Sequence, residues 1–99
     1  ARVANTIAHR EADAGIVIDG AGIGSAIAAN KVKGVRAAVC HDETMARYAR
    51  QHNGANALSL GSTLISVEDA LRVVDLWLNT PMTEPRCIRR LAKIRELER

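Results

Sequence analysis

The chain has 99 residues, 47% apolar and 25% charged, the balance of one globular domain rather than a disordered tail or a collagen-like repeat. Its net charge of +3 is concentrated at one end, because residues 86–99 hold six bases against Glu96 and Glu98 and the remainder carries −1. No run approaches the roughly 18 apolar residues of a spanning helix, two cysteines are too few for a disulfide scaffold, and no signal-peptide pattern opens the chain. The expectation is a cytoplasmic protein with no metal site and no membrane contact.

Residues 1–10 read as the tail of an Ala-rich helix with Val3, Ile7 and Ala8 on one face. Residues 14–19 (Ala-Gly-Ile-Val-Ile-Asp) form a continuous apolar run, the pattern of a strand covered on both faces. Gly20-Ala21-Gly22-Ile23-Gly24 then turns the chain into a helix over 25–31, which Gly34 stops. A second strand is expected over 35–40. A helix capped by Asp42 or Thr44 runs to about His52, where Asn53-Gly54 supplies a left-handed stop. A third strand covers 57–60, and Ser66 with Asp69 opens a helix whose Val67, Ala70, Leu71, Val74 and Leu78 keep the helical period. Pro81 and Pro85 bracket a linker, and a basic helix ends the chain. Strands alternating with helices predict a parallel sheet with right-handed crossovers. Three strands make a thin sheet, and the first is as apolar as a central strand. Together with a start at Ala1, this reads as the back part of a larger α/β unit, with something missing upstream.

The glycine turn joins a strand end to a helix start, where successive amides can hold an anion or an oxyanion. Its spacing is not the dinucleotide fingerprint, and Cys40-His41 stands where a ribose-binding acid would be needed. Asp19 faces whatever this turn binds and reads either as a general base or as a helix-capping residue. His41, His52 and Asn53 each read as structural when taken singly, and His9 as a solvated helix residue. Cys40 and Cys87 read as small buried hydrophobes. The basic last helix suits a small phosphate. Nucleic acid is disfavoured, because no aromatic interleaves the bases for stacking.

Asp19-Gly20-Ala21-Gly22-Ile23-Gly24-Ser25, followed by Ile27-Ala28-Ala29-Asn30-Lys31-Val32-Lys33-Gly34-Val35-Arg36-Ala37-Ala38, resembles the ribose-5-phosphate isomerase B family, which includes galactose-6-phosphate isomerase subunits. The likeness continues through Cys40-His41-Asp42, Ala49-Arg50-Gln51-His52-Asn53, Ala55-Asn56, Leu60-Gly61 and Asn79-Thr80-Pro81. It implies a Rossmann-like three-layer α/β/α sandwich and a homodimer, or a higher homo-oligomer, with the active site at its interface. It also implies metal-free, cofactor-free interconversion of an aldose phosphate and a ketose phosphate through a cis-enediolate. Carried over by position, His52 would assist ring opening and Asn53 would bind substrate hydroxyls. The backbone amides of Gly20, Gly22 and Gly24 would hold the enediolate, with Ala21 and Ser25 beside the substrate, and Arg86 and Arg90 would grip the phosphate.

This sequence departs from the family where the base is expected. Asp19 stands where many members have a cysteine, and Ser25 where others have a glutamate, which leaves Asp19 as the only carboxylate in the motif. Ala21 replaces a common Thr or Ser, and Thr63 an arginine found in some members. Two strands and an Asp-His motif with which the family begins do not appear. The chain thus reads as a single partial domain over 1–99, with 82–99 a basic helical extension. Two functions follow: a sugar-phosphate isomerase with Asp19 as base, or a catalytically inactive sugar-phosphate-binding or regulatory homologue.

Overall fold

The computed structural model describes residues 2–98. Its elements are α1 (Arg2–Ala8), β1 (Gly15–Asp19), α2 (Ile23–Asn30), β2 (Ala37–Val39), α3 (Glu43–Gln51), β3 (Ala57–Gly61), α4 (Val67–Asn79) and α5 (Pro85–Leu97). The strands form one parallel sheet in the order β1-β3-β2. Gly15 lies opposite Ala57 and Asp19 opposite Gly61, while Ala37 to Val39 pair with Ala57 to Ser59. Each parallel step needs a crossover, and a helix supplies it.

Local chemistry sets the helix ends. Asp42, rather than Thr44, caps α3 by accepting from the Met45 amide at 2.8 Å, and Gly54, at φ 58°, follows its end. Ser66 accepts from the Asp69 amide at 3.1 Å to open α4, and Pro85 stands in the first turn of α5. α1 ends at Ala8, so His9 lies in a turn instead of a helix. α2 begins at Ile23, which brings Gly24 and Ser25 inside its first turn. β2 is only three residues long, with Val35 and Arg36 leading into it.

α1 and α2 pack on one face of the sheet, and α3 and α4 on the other. The α1/α2 side holds Ala4, Ile7, Ala29, Val35 and Ala57. The α3/α4 side holds Ala46, Ala49, Leu58, Leu60, Val73 and Trp77. Small residues let the helices sit close: a Cβ on Gly15 would come within 2.4 Å of Val3 Cγ1 on α1. Cys40 and Cys87 are buried, as small hydrophobes should be.

The strand covered on both faces is β3, every residue of which is buried. β1 departs from that expectation. It has one strand neighbour, and Ile16 and Ile18 remain 36% and 65% exposed. These two residues share a face with Leu60 and, with Val67, Leu71 and Val74 of α4, line an apolar groove of about 430 Å³. No helix among the described residues is long and apolar enough to cross a membrane.

Candidate functional site

The loop after β1 is fastened to the segment after β3. The Asp19 carbonyl accepts from the Ser62 amide at 2.8 Å, and the Gly20 carbonyl from the Thr63 amide at 3.0 Å and hydroxyl at 2.7 Å. The buried Ser59 hydroxyl donates to the Gly22 carbonyl. Gly22 adopts φ 79°, a left-handed conformation that glycine takes without steric penalty. A Cβ on Gly61 would meet the Ala21 carbonyl oxygen at 2.6 Å, so β3 must end in glycine for the loop to pass. By contrast, a Cβ on Gly20 would meet nothing.

The half-buried Asp19 carboxylate turns back onto this loop. Its Oδ1 accepts from the Gly22 amide, and its Oδ2 accepts from the Ser25 amide at 3.1 Å and the Ser25 hydroxyl at 2.7 Å. The Ser25 hydroxyl chiefly holds the carboxyl below the usual carboxylate range; partial burial opposes this, and the Ser25 and Gly22 amides add to it. Asp19 thus makes the contacts of a helix-capping residue at the start of α2, one of the two roles its position suggested. The Gly22 amide, expected to face an oxyanion, already faces a carboxylate. Asp19, Gly22 and Ser25 meet directly, with Gly20, Ala21 and Gly24 beside them in the loop and first helical turn.

His52, Asn53, Arg86 and Arg90 lie elsewhere. α3 returns antiparallel to the strands, so its end falls where the strands begin. His52 is its C-cap and stacks on Tyr48 with ring centroids 4.6 Å apart. Asn53 Nδ2 donates to the Tyr48 carbonyl at 3.1 Å. α5 reaches the same end, since a Cβ on Gly54 would lie 2.9 Å from Leu91 Cδ2. Cys87 and Leu91 are its buried residues, which leaves Arg86 and Arg90 exposed. Arg86 Nε donates to Glu84 Oε2 at 2.8 Å, and this pairing raises its pKa. At about 3.3 Å per residue, β3 alone separates the two ends by roughly 13 Å. One chain therefore leaves the predicted residues in two groups rather than one.

Sequence reasoning overlooked three members of the loop assembly. Ser59 interrupts the apolar run of β3, a signal that a buried hydroxyl has a partner. Thr63, noted as a missing arginine, instead fastens Gly20. Gly61 gave no local signal, because its need for glycine comes from a loop 40 residues earlier in sequence.

A family described as Ribose/Galactose Isomerase matches residues 1–94. Ribose-5-phosphate isomerase B of Escherichia coli (strain K12) is 41% identical over 97 residues, covering 98% of this chain and 65% of that protein. A structure of ribose-5-phosphate isomerase B from Clostridium thermocellum superposes with a TM-score of 0.95 at 47% identity, covering 98% of this chain and 66% of the other. Another, from Mycoplasma genitalium with bound ribulose-5-phosphate, gives 0.94 at 40% identity, covering 98% and 64%. The chain thus spans about two thirds of the length of these relatives, and the likeness bears out the Rossmann-like α/β sandwich. With the family matched over nearly the whole chain and the glycine loop built as described, the chain belongs to the Ribose/Galactose Isomerase family.

Proposed function

We propose that the protein containing this chain interconverts an aldose phosphate and a ketose phosphate through a cis-enediolate, with Asp19 as the base. One observation carries the reading: an ionised carboxylate stands at a strand end among the hydrogen-bond donors of Gly22 and Ser25. In the forward step Asp19 takes the proton from the carbon next to the aldehyde, and negative charge develops on the carbonyl oxygen. Protonated, Asp19 becomes a weaker acceptor, and the Gly22 and Ser25 donors turn to the new oxyanion. The hydroxyl proton on the adjacent oxygen passes to the former carbonyl oxygen, and Asp19 returns the carbon-bound proton to the former carbonyl carbon, giving the ketose with Asp19 ionised again. The charge has moved from protein to substrate and back among the same donors.

His52 would assist ring opening and Asn53 bind hydroxyls, while Arg86 and Arg90 hold the phosphate. These four are at the opposite end of the sheet from Asp19, so the complete site requires a second copy that brings its His52 end to the first copy's Asp19 loop. A homodimer with the active site at its interface supplies that arrangement. The relative bound to ribulose-5-phosphate supports a phosphorylated sugar as the substrate class. A reaction on such sugars fits a cytoplasmic protein. The test is Asp19→Asn in the purified protein: turnover of ribose 5-phosphate should disappear while calorimetry still detects binding. Turnover retained by Asp19→Asn removes the residue from the role.

The second reading, a binding or regulatory homologue without turnover, is favoured by the hydrogen bonds that lower the proton affinity of Asp19. A carboxylate held low is a weak base at neutral pH. Substrate binding with no isomerisation in the unmodified protein would support this reading, and measurable isomerisation would end it.

A further inference from the structure

At the strand-start end of the sheet, a cavity of about 560 Å³ opens between the turn after α1, the approach to β2 and the second half of α5. Arg10, Arg36 and Arg95 line it, with Asp13 as the one acidic residue in its lining. Among the described residues, none of these three arginines takes part in an ion pair. Arg36 is half-buried, and its Nε donates to the Gly54 carbonyl at 2.9 Å. Its two terminal nitrogens have no hydrogen-bond partner among the described residues.

The surrounding polar groups are engaged in holding the wall. Asn56 accepts from the Arg36 amide at 2.7 Å and donates to the Gly34 carbonyl at 2.8 Å. Glu98 accepts from the Gly34 amide at 2.8 Å. Arg10 is fixed at φ 59°, with its amide donating to the Ile7 carbonyl at 3.0 Å. Burial, then repulsion from Arg95 and Arg50, works against the Arg36 charge, and Glu98 offsets only part of this. A half-buried guanidinium without a counter-ion is costly, and an anion reached by several arginines relieves that cost through charge-assisted, often bidentate, hydrogen bonds. The volume falls in the range of roughly 300–1,000 Å³ usual for small-molecule sites.

We propose that this cavity binds a phosphate-type dianion, free or as the head of a small organic phosphate, at a site separate from the Asp19 loop and from Arg86 and Arg90. Inorganic phosphate and glycerol 3-phosphate, titrated into the purified protein and followed by amide chemical shifts, test this. Saturable shifts are expected at Gly34, Arg36 and Asn56, with affinity falling at least about tenfold in an Arg10→Gln/Arg95→Gln variant and unchanged in Arg90→Gln. Tighter binding of glycerol 3-phosphate would identify an organic phosphate as the ligand, and tighter inorganic phosphate a free anion; either supports the site. Shifts confined to residues 20–25, shifts lost in Arg90→Gln, or linear shifts without saturation would overturn it. If the double variant fails to keep the native spectrum, Arg95→Gln alone carries the comparison, and wild-type affinity in that folded variant overturns the proposal.

Discussion

The Ser25 hydroxyl donates to the Asp19 carboxylate at 2.7 Å, closing a ring of chain that contains the whole glycine loop. The proposed base and the donors proposed for its product are therefore in contact in this chain. The Ser25→Ala variant should raise the Asp19 pKa toward the ordinary carboxylate value, because it removes the largest cause of the lowering. Side-chain carboxyl NMR during an acid titration measures this directly. A depressed folded-state pKa contributes stability that is present above the unfolded value near 3.9 and is lost as pH falls through the folded value. Asp19→Asn should accordingly lose less stability than wild type below about pH 4. In the working enzyme, Ser25→Ala should also move the acid limb of kcat/KM upward. An unmoved limb with a raised KM would return Ser25 to a substrate-binding role.

Glycines 22 and 61 should be intolerant for different reasons. Gly22→Ala forces a side chain into a left-handed backbone, costing about 1–2 kcal/mol before any contact with the end of β3 is counted. Gly61→Ala puts a methyl group against the Ala21 carbonyl and should displace the loop. Gly20→Ala, facing open space, should be nearly neutral for stability. Denaturant unfolding of the three variants gives the order.

Core and edge positions should separate cleanly. Trp77 is fully buried with the Arg50 guanidinium 4.8 Å over its ring, and Trp77→Ala should lose about 3–5 kcal/mol. Ile18→Thr, on the face of β1 that stands open in this 99-residue chain, should change that chain's stability by no more than about 0.5 kcal/mol. Midpoints of urea unfolding measure both.

Cys40 should be inert in the folded protein. Burial, aided by Asp42, pushes its thiol up to about 11, so thiolate is scarce at pH 8. Iodoacetamide should label it only after denaturant is added. Rapid labelling under native conditions would contradict the burial.

The element order and the parallel sheet were legible in the sequence because capping residues and apolar runs are local signals. Asp42, Ser66 and Gly54 punctuate helices wherever they occur. The open face of β1 was legible as a mismatch, because the apolar run Ile16-Val17-Ile18 has more to bury than a three-stranded sheet covers. Which strand lies beside it, β3 rather than β2, was not, since an apolar run says nothing about order in the sheet. The glycine loop was legible as a turn from a strand end into a helix start, with amides free to meet a carboxylate. That Asp19 turns onto the loop was legible as one of its two readings; that Ser25 is its partner was not, since this contact depends on α2 starting two residues earlier than the pattern suggested. The separation of His52 from Asp19 follows from the direction of α3. It could have been read from the β-α-β order, by noting that His52 ends the return helix while Asp19 ends a strand.

Under the proposed function, one copy's Asp19 loop works with a second copy's His52 end. Mixing, unfolding and refolding together two individually inactive variants, Asp19→Asn and His52→Gln, tests it most directly. If the site is shared, mixed dimers place both lesions in one site and leave the other intact. Isomerase activity should then return to about a quarter of the wild-type value in a 1:1 mixture. A mixture as inactive as its components, with mixed dimers demonstrated by mass, would contradict the shared site.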